Sequence, residues 1–152
     1  MLKKLFLFIA LFVGLFLLDQ YIKMLFVGGF ERPGECISLV LVYNYGVAFS
    51  MFAFLAENLK YIQIAIMLGG IIYLALNKDI FRLYYIPAAL ILAGGSSNIY
   101  DRFIHGGVVD YVYWHCGFDF AVFNFADVII DIGVVLILLI NYLEYKKKKI
   151  TN

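Results

Sequence analysis

Length, composition and charge together place this chain in a membrane. Its 152 residues are 64% hydrophobic and 15% charged, with a mean hydropathy of +0.92. A soluble domain of this size carries more charge and a smaller apolar share, so an ordinary soluble domain is excluded. The net charge of +1 gives no sign of a nucleic acid or another polyanion as partner, and none is expected.

The first apolar run predicts a membrane span over about 5–26, with Asp19 and Lys23 near its far end. A cleaved signal peptide is the alternative, because Lys3 and Lys4 precede the apolar run. No small-x-small cleavage motif follows the run, which favours an uncleaved helix. Asp19 and Lys23 stand four residues apart, and such a pair is either a simple interfacial ion pair or a support for a site.

Three further apolar stretches predict spans over about 60–76, 81–100 and 123–142. Lysine and arginine concentrate on the cytoplasmic side of membrane proteins, which orients these spans. In a four-span arrangement the basic residues lie on one side, so both termini are expected in the cytoplasm. We expect a single membrane domain over 1–152, with two outer segments, 28–58 and 103–122.

The first outer segment differs in composition from the spans. Turn signals at Pro33-Gly34 and Asn44-Tyr45-Gly46 flank Ile37 to Tyr43, a β-branched and aromatic run that predicts a strand. Val47 to Leu55 is apolar but too short to span, so it is either a helix lying in the interface or part of a small sheet on the membrane surface. The predicted fold class is an all-α membrane protein with four transmembrane helices, a small extracytoplasmic β-containing segment and an interfacial helix.

Polar residues converge at the outer ends of the predicted spans, on the side opposite the lysines. Charged and amide groups at such positions are costly and usually functional. The set comprises Asp19, Asn44, Asn98, Asp101, Asp110, Asn124 and Asp127.

Asp110 and Asp127 are the candidate catalytic pair. Two carboxylates that share a site hold one proton between them, and such a pair can activate water and protonate a leaving nitrogen. Taken singly, Asp110 reads as a solvated loop carboxylate and Asp127 as a helix-start residue. Together with the amides at the same depth, they favour aspartyl peptidase chemistry, which needs no metal or cofactor.

Other chemistries find less support in the residues. His105 and His115 lack metal-ligand spacing, and Ser96 and Ser97 lack a nearby base, so hydrogen bonds within the bundle are expected of them. A phosphate-binding glycine loop is missing from the sequence.

The two cysteines and a third carboxylate leave alternatives open. Cys36 and Cys116 can form a disulfide, but unpaired cysteines are favoured because their spacing says so little.

Asp131, one turn deeper than Asp127, is interpreted as a buried support residue. The alternative function is a small proton-coupled transporter that uses Asp127 and Asp131 as relay carboxylates, and the third is a non-enzymatic scaffold.

Five motifs in order resemble the lipoprotein signal peptidase family, also called signal peptidase II. The resemblance covers nearly the whole chain. Two residues depart from the family pattern: Ser97 stands where the family usually has glycine, and Val128 where it often has serine. The motifs are Asp19-Gln20-Tyr21-Ile22-Lys23, Asn44-Tyr45-Gly46-Val47-Ala48-Phe49-Ser50, Gly94 to Arg102, Val108-Val109-Asp110-Tyr111 and Phe123-Asn124-Phe125-Ala126-Asp127.

The resemblance implies an aspartic endopeptidase in the bacterial inner membrane, with its site near the extracytoplasmic face. It implies a substrate class, prolipoproteins cut just before a diacylglyceryl-modified cysteine, and inhibition by the cyclic peptide globomycin. A monomer in contact with membrane lipid is expected. Asp110 and Asp127 are implied as the catalytic dyad, with supporting or substrate-binding roles for Asp19, Lys23, Asn44, Gly46, Asn98, Asp101, Arg102 and Asn124.

Overall fold

The computed structural model of the chain describes residues 1–46 and 53–151. Each of the four long helices in that part of the chain is long and apolar enough to cross a membrane, which confirms the four predicted spans. The predicted interfacial helix falls largely outside the described residues, and its last part, Ala53–Leu55, forms a 3-10 turn. In chain order the main elements are α1 (Leu2–Val27), β1 (Ile37–Asn44), α2 (Ala56–Leu76), α3 (Lys78–Ile104), β2 (Val108–Trp114) and α4 (Phe125–Thr151).

Helix α3 lies at the centre of the bundle and packs against the other three helices. Near its start, the carbonyl oxygen of Arg82 accepts a hydrogen bond of 2.8 Å from Lys4 of α1. Near its end, the hydroxyl oxygen of Ser97 accepts a hydrogen bond of 2.7 Å from the amide of Gln20. Helices α1 and α3 therefore run parallel, and we call the end that holds Gln20 and Ser97 the site end.

Helix α4 runs antiparallel to α3 and touches it closely. A Cβ added to Gly94 would lie 2.5 Å from the carbonyl oxygen of Ala126, so only glycine fits at this contact. Small residues permit such close approach between membrane helices. The contact brings Asn98, one turn beyond Gly94 on α3, against Asp127 in the first turn of α4.

The two strands form an antiparallel ribbon at the site end. The predicted strand over Ile37 to Tyr43 is confirmed as β1, whereas β2 was not predicted and pairs with it. Asn44 lies opposite Val108, and Val42 opposite Asp110, so the ribbon carries Asn44 and Asp110 side by side. The β-branched and aromatic residues of β2 were a strand signal that could have been used.

A disulfide closes the far end of the ribbon. Cys36 precedes β1 and Cys116 follows β2, and their Cα atoms lie 4.4 Å apart. The backbone N–H of His115 also donates a hydrogen bond of 2.9 Å to the carbonyl oxygen of Cys36. The expectation of unpaired cysteines is therefore wrong, because the β1–β2 pairing that places them together was not predicted.

Candidate active site

Asn124 and Asp127 cap the start of α4 reciprocally. The Asn124 side-chain oxygen accepts a hydrogen bond of 2.9 Å from the backbone N–H of Asp127. The Asp127 carboxylate accepts one of 3.1 Å from the backbone N–H of Asn124. This is a capping box with amide and carboxylate side chains. Asp127 is therefore fixed in orientation by the helix start, as the sequence allowed, and its second carboxylate oxygen is left for other partners.

Amide side chains connect Asp127 to Asp110. The Asn98 amide nitrogen donates to the Asp127 carboxylate at 2.9 Å. The Asn124 amide nitrogen donates to the Asp110 carboxylate at 2.7 Å and lies 3.2 Å from the side-chain oxygen of Asn98. Two carboxylates from different elements, β2 and α4, thus share one amide network.

The ribbon supplies a second donor to Asp110. The Asn44 amide nitrogen donates to the Asp110 carboxylate at 3.0 Å, and the Asn44 side-chain oxygen accepts from the backbone N–H of Gly46 at 3.0 Å. The Arg102 guanidinium donates to the carbonyl oxygen of Gly46 and lies 3.5 Å from that of Asn44. Arg102 therefore ties the end of β1 to α3 and fixes the amide that faces Asp110.

Lys23 occupies the centre of a buried charge cluster. Its ammonium group lies 2.7 Å from the carboxylate of Asp19 and 2.7 Å from that of Asp101, and all three side chains are at most 2% exposed. It also donates to the side-chain oxygen of Asn98 at 2.8 Å. All three ammonium hydrogens have acceptors, so the Asp19–Lys23 pair supports the site and is not an isolated interfacial ion pair.

The two carboxylates around Lys23 reach the elements that bear the candidate dyad. Asp19 accepts a hydrogen bond of 2.8 Å from the backbone N–H of Ala126, next to Asp127. Asp101 accepts one of 3.1 Å from the backbone N–H of Val109, next to Asp110. The charge cluster therefore positions α4 and β2 through their backbones.

Ser97 joins the same network, which explains its departure from glycine. Its hydroxyl donates a hydrogen bond of 2.5 Å to the Asp19 carboxylate and accepts one of 2.7 Å from the Gln20 amide. Gln20 also donates to Asp101 at 2.8 Å. The hydroxyl thus adds hydrogen bonds at a position where it is fully buried.

A cavity of about 560 Å³ opens beside both carboxylates. Its walls come from the ribbon, the start of α4, the end of α3 and one residue of α2. The polar residues that line it are Asn44, Gln63, Asn98, Arg102, Asp110, Asp127 and Asp131. Val128, the second departure from the family pattern, lines it as an apolar residue.

Burial and the nearby Asp127 carboxylate raise the pKa of Asp110 from 3.8 to about 7. Hydrogen bonds from Asn44 and Asn124 and the charge of Lys23 act in the opposite direction. Asp110 can therefore hold a proton near neutral pH, as one member of an acid–base pair must.

The ten sequence-predicted site residues all lie in this one network, and the sequence interpretation missed three contributors. Gln20 and Gln63 are amides at or within spans, and Gln63 accepts a hydrogen bond of 3.1 Å from Arg102; an amide in an apolar run is a signal that could have found both. Tyr111, which accepts a hydrogen bond of 3.0 Å from the backbone N–H of Phe125, stacks on Phe26 with ring centroids 4.2 Å apart.

The interpretation of Asp131 as a buried support residue is wrong as to its burial. The side chain is exposed, not buried, and it lines the cavity. The two histidines contact other groups: His115 lies 3.0 Å from the hydroxyl of Ser38, and the His105 ring lies against that of Tyr43. Within residues 1–46 and 53–151, no three His, Cys, Asp or Glu side chains are grouped to hold a metal ion.

The family model described as signal peptidase (SPase) II matches residues 11–143. The chain belongs to the signal peptidase II family. It is a peptidase of the multi-pass inner-membrane class, and its four apolar helices fit that class.

Close relatives carry the same family name. A lipoprotein signal peptidase of Sulfurimonas denitrificans is 63% identical over 129 residues, covering 85% of this chain and 83% of the relative. One from Sulfurovum sp. is 54% identical over 135 residues, covering 89% of this chain and 92% of the relative. The two matches therefore cover most of this chain and most of each relative.

A solved bacterial membrane enzyme has the same fold. It superimposes with a TM-score of 0.80 at 25% identity, covering 93% of this chain and 90% of the other. The transporter alternative finds no support in these comparisons.

Proposed function

We propose that this chain removes the signal peptide from diacylglyceryl-modified prolipoproteins by cleaving the bond before the lipidated cysteine. The names of its relatives and its membership of the signal peptidase II family support this substrate class. The cavity beside the two carboxylates is bounded by membrane-spanning helices α2, α3 and α4, so a substrate in the bilayer can enter it sideways.

Asp110 and Asp127 act as an aspartyl dyad in this proposal. The observation that carries it is that both carboxylates line one cavity and both bond to Asn124. One carboxylate takes a proton from a water that attacks the scissile carbonyl, while the protonated partner polarises that carbonyl. The proton then passes to the leaving nitrogen. The raised pKa of Asp110 suits it to carry the shared proton.

The surrounding residues orient the dyad and keep its charges apart from bulk water. Asn98 and Asn124 hold the two carboxylates through neutral donors. Lys23 lies beyond Asn98 and forms ion pairs with Asp19 and Asp101. A lysine in direct contact with Asp110 or Asp127 would keep both ionised, so an amide is the better neighbour for a pair that shares a proton.

The site end faces the extracytoplasmic side of the inner membrane in this proposal. Lys3, Lys4 and Arg82 stand at the opposite end of the bundle together with Lys146–Lys149, which the positive-inside rule assigns to the cytoplasm. Globomycin-type cyclic peptides are the expected inhibitors, and the expected active form is a monomer.

The test is cleavage of a diacylglyceryl-modified precursor by the purified full-length chain in detergent or lipid nanodiscs. We expect a new amino terminus at the lipidated cysteine, and no cleavage of the same precursor without its lipid. Activity should persist in a chelator, because the proposed chemistry uses carboxylates alone. Absence of cleavage with a folded protein would contradict the proposed substrate, and zinc-reversible loss of activity in a chelator would contradict the dyad.

A further inference from the structure

Asp131 places a carboxylate on α4, a helix long and apolar enough to cross a membrane. From Val128 to Ile140 it is the only residue of α4 with a polar side chain. Its own side chain is exposed and, among residues 1–46 and 53–151, makes no hydrogen bond or ion pair. Neighbouring exposed positions on α4, such as Ile132 and Val135, are apolar as expected of a lipid-facing surface.

The free-energy cost of placing the Asp131 carboxyl group in the membrane indicates that this group functions in the cavity. A carboxyl group inside the bilayer is expensive unless it pairs or faces a polar space. The two cations near the cavity are already engaged, Lys23 with Asp19 and Asp101, and Arg102 with carbonyl and amide oxygens of its neighbours. A partner for Asp131 therefore has to enter with the substrate.

The depth of Asp131 identifies which part of the substrate can reach it. An α-helix rises about 1.5 Å per residue, so Asp131 lies about 6 Å deeper in the membrane than Asp127, on the same face of α4. An extended peptide advances about 3.3 Å per residue. If the scissile bond lies at the dyad, the residue level with Asp131 is two or three positions earlier in the signal peptide, which is the membrane-buried side of the cut.

At that depth, the polar groups of the substrate that lack a hydrogen-bond partner are its own backbone groups. A peptide must leave the helical form to present its scissile bond, and its freed backbone N–H groups then have no water in the hydrocarbon region. A carboxylate in the cavity wall is an acceptor of the right strength for one of them.

We propose that Asp131 is a substrate-binding residue whose carboxylate accepts a hydrogen bond from a substrate backbone N–H two or three residues before the cleaved bond. This inference rests on the proposed function. In this proposal the exposed carboxylate of Asp131 holds the end of the signal peptide in an extended form, on the membrane side of Asp110 and Asp127. The contact exists before and during the reaction, so its loss should raise KM and leave kcat nearly unchanged.

The experiment couples a change in the enzyme to a change in one substrate atom. Lipidated peptide substrates are made with the amide two or three residues before the cut replaced by an ester, which removes that N–H and keeps the chain shape. Wild type, Asp131→Ala and Asp131→Asn are compared by kcat and KM in nanodiscs. Ile132→Ala, an exposed apolar position about 100° around α4 from Asp131 and outside the set of residues that line the cavity, is the matched control.

We expect the ester at one of the two positions to lower kcat/KM about tenfold in wild type, a typical loss for a charge-assisted hydrogen bond. Asp131→Ala should lower it by a similar factor on the all-amide substrate and make the ester nearly harmless. Asp131→Asn, which keeps an acceptor oxygen, should retain part of the discrimination, and Ile132→Ala should behave as wild type.

Two results would overturn the proposal: an ester penalty of equal size in wild type and Asp131→Ala at both positions, or an Asp131→Ala enzyme with unchanged KM on the all-amide substrate. Thermal unfolding of each variant is measured in the same nanodiscs. A reduced folded fraction lowers the apparent kcat without changing KM, so loss of fold can be distinguished from loss of substrate binding. Failure of wild type to cleave the all-amide substrate would instead contradict the proposed function itself.

Discussion

The side-chain amide of Asn124 donates a hydrogen bond of 2.7 Å to the carboxylate of Asp110. The same residue caps α4 and bonds to Asp127 through its backbone. Asn124 therefore connects the start of α4 to the β1–β2 ribbon beside the carboxylates of Asp110 and Asp127. A change in the position of either element would therefore alter the hydrogen bonds of both carboxylates.

Removal of either candidate catalytic carboxylate should abolish cleavage. In Asp110→Asn and Asp127→Asn the amide keeps the side-chain shape but cannot exchange the proton, so we expect a loss of at least about a hundredfold in kcat. Cleavage of the lipidated precursor is the measurement, with thermal unfolding to verify the fold. Asp79→Asn is the matched control, because its side chain is 94% exposed at the opposite end of the bundle. Full activity in either dyad variant would remove that residue from the mechanism.

The pH profile should report the shared proton of the dyad. Because burial and Asp127 raise the pKa of Asp110 to about 7, kcat/KM should fall as pH rises through about 7 and Asp110 loses its proton. The apparent value belongs to the coupled pair. A profile that stays flat from pH 6 to 9 with the chemical step rate-limiting would argue against a protonated Asp110.

Loss of the Asn44 donor should shift that profile in a stated direction. The hydrogen bond from Asn44 lowers the pKa of Asp110 by favouring its charged form. In Asn44→Ala the pKa of Asp110 should rise, so the alkaline limb of kcat/KM should move to higher pH while cleavage at neutral pH falls. An alkaline limb that moves to lower pH would contradict the assigned hydrogen bond, and the amount of folded protein serves as control.

Lys23 should be required for stability as well as for activity. Lys23→Met leaves the carboxylates of Asp19 and Asp101 buried without their cation, and loss of one partner of a buried ion pair costs about 3–5 kcal/mol. The free energy of unfolding in detergent is the measurement. Lys147→Met removes a lysine that is 74% exposed and paired only at the surface, so its cost should stay below about 1 kcal/mol. Equal costs for the two variants would contradict a central role of the buried cluster.

The disulfide should stabilise the ribbon without taking part in catalysis. It joins residues 80 positions apart at the end of the ribbon opposite Asn44 and Val108. Cys36→Ser with Cys116→Ser should lower the free energy of unfolding by about 2–4 kcal/mol, while cleavage at low temperature stays near that of wild type. Unchanged thermal stability in the double variant, or after reduction of wild type, would contradict this expectation.

Much of the site was predictable because its residues stand in local patterns. Asn98, Asp101 and Arg102 are polar residues at helical spacing at the end of an apolar run, and all three belong to the network. Asn124 and Asp127 have the spacing of a capping box, which local backbone geometry enforces. Hydropathy alone located the four spans, since only a helix satisfies its backbone inside lipid.

The rest depended on contacts between distant parts of the chain. The pairing of β1 with β2 decides that Asn44 faces Asp110 and that Cys36 meets Cys116, and strand pairing across so long a separation leaves no local periodicity to read. Asp131 lies on the part of α4 that lines the cavity, and this depends on how α4 packs against the rest of the bundle. The sequence by itself determined the spans, the caps and the identities of the charged groups, because these follow from local hydropathy and backbone geometry. Tertiary structure decided which of those groups form one hydrogen-bond network and which of them line the cavity, because hydrogen bonds and charge interactions act only over the few ångströms that separate groups in the folded chain.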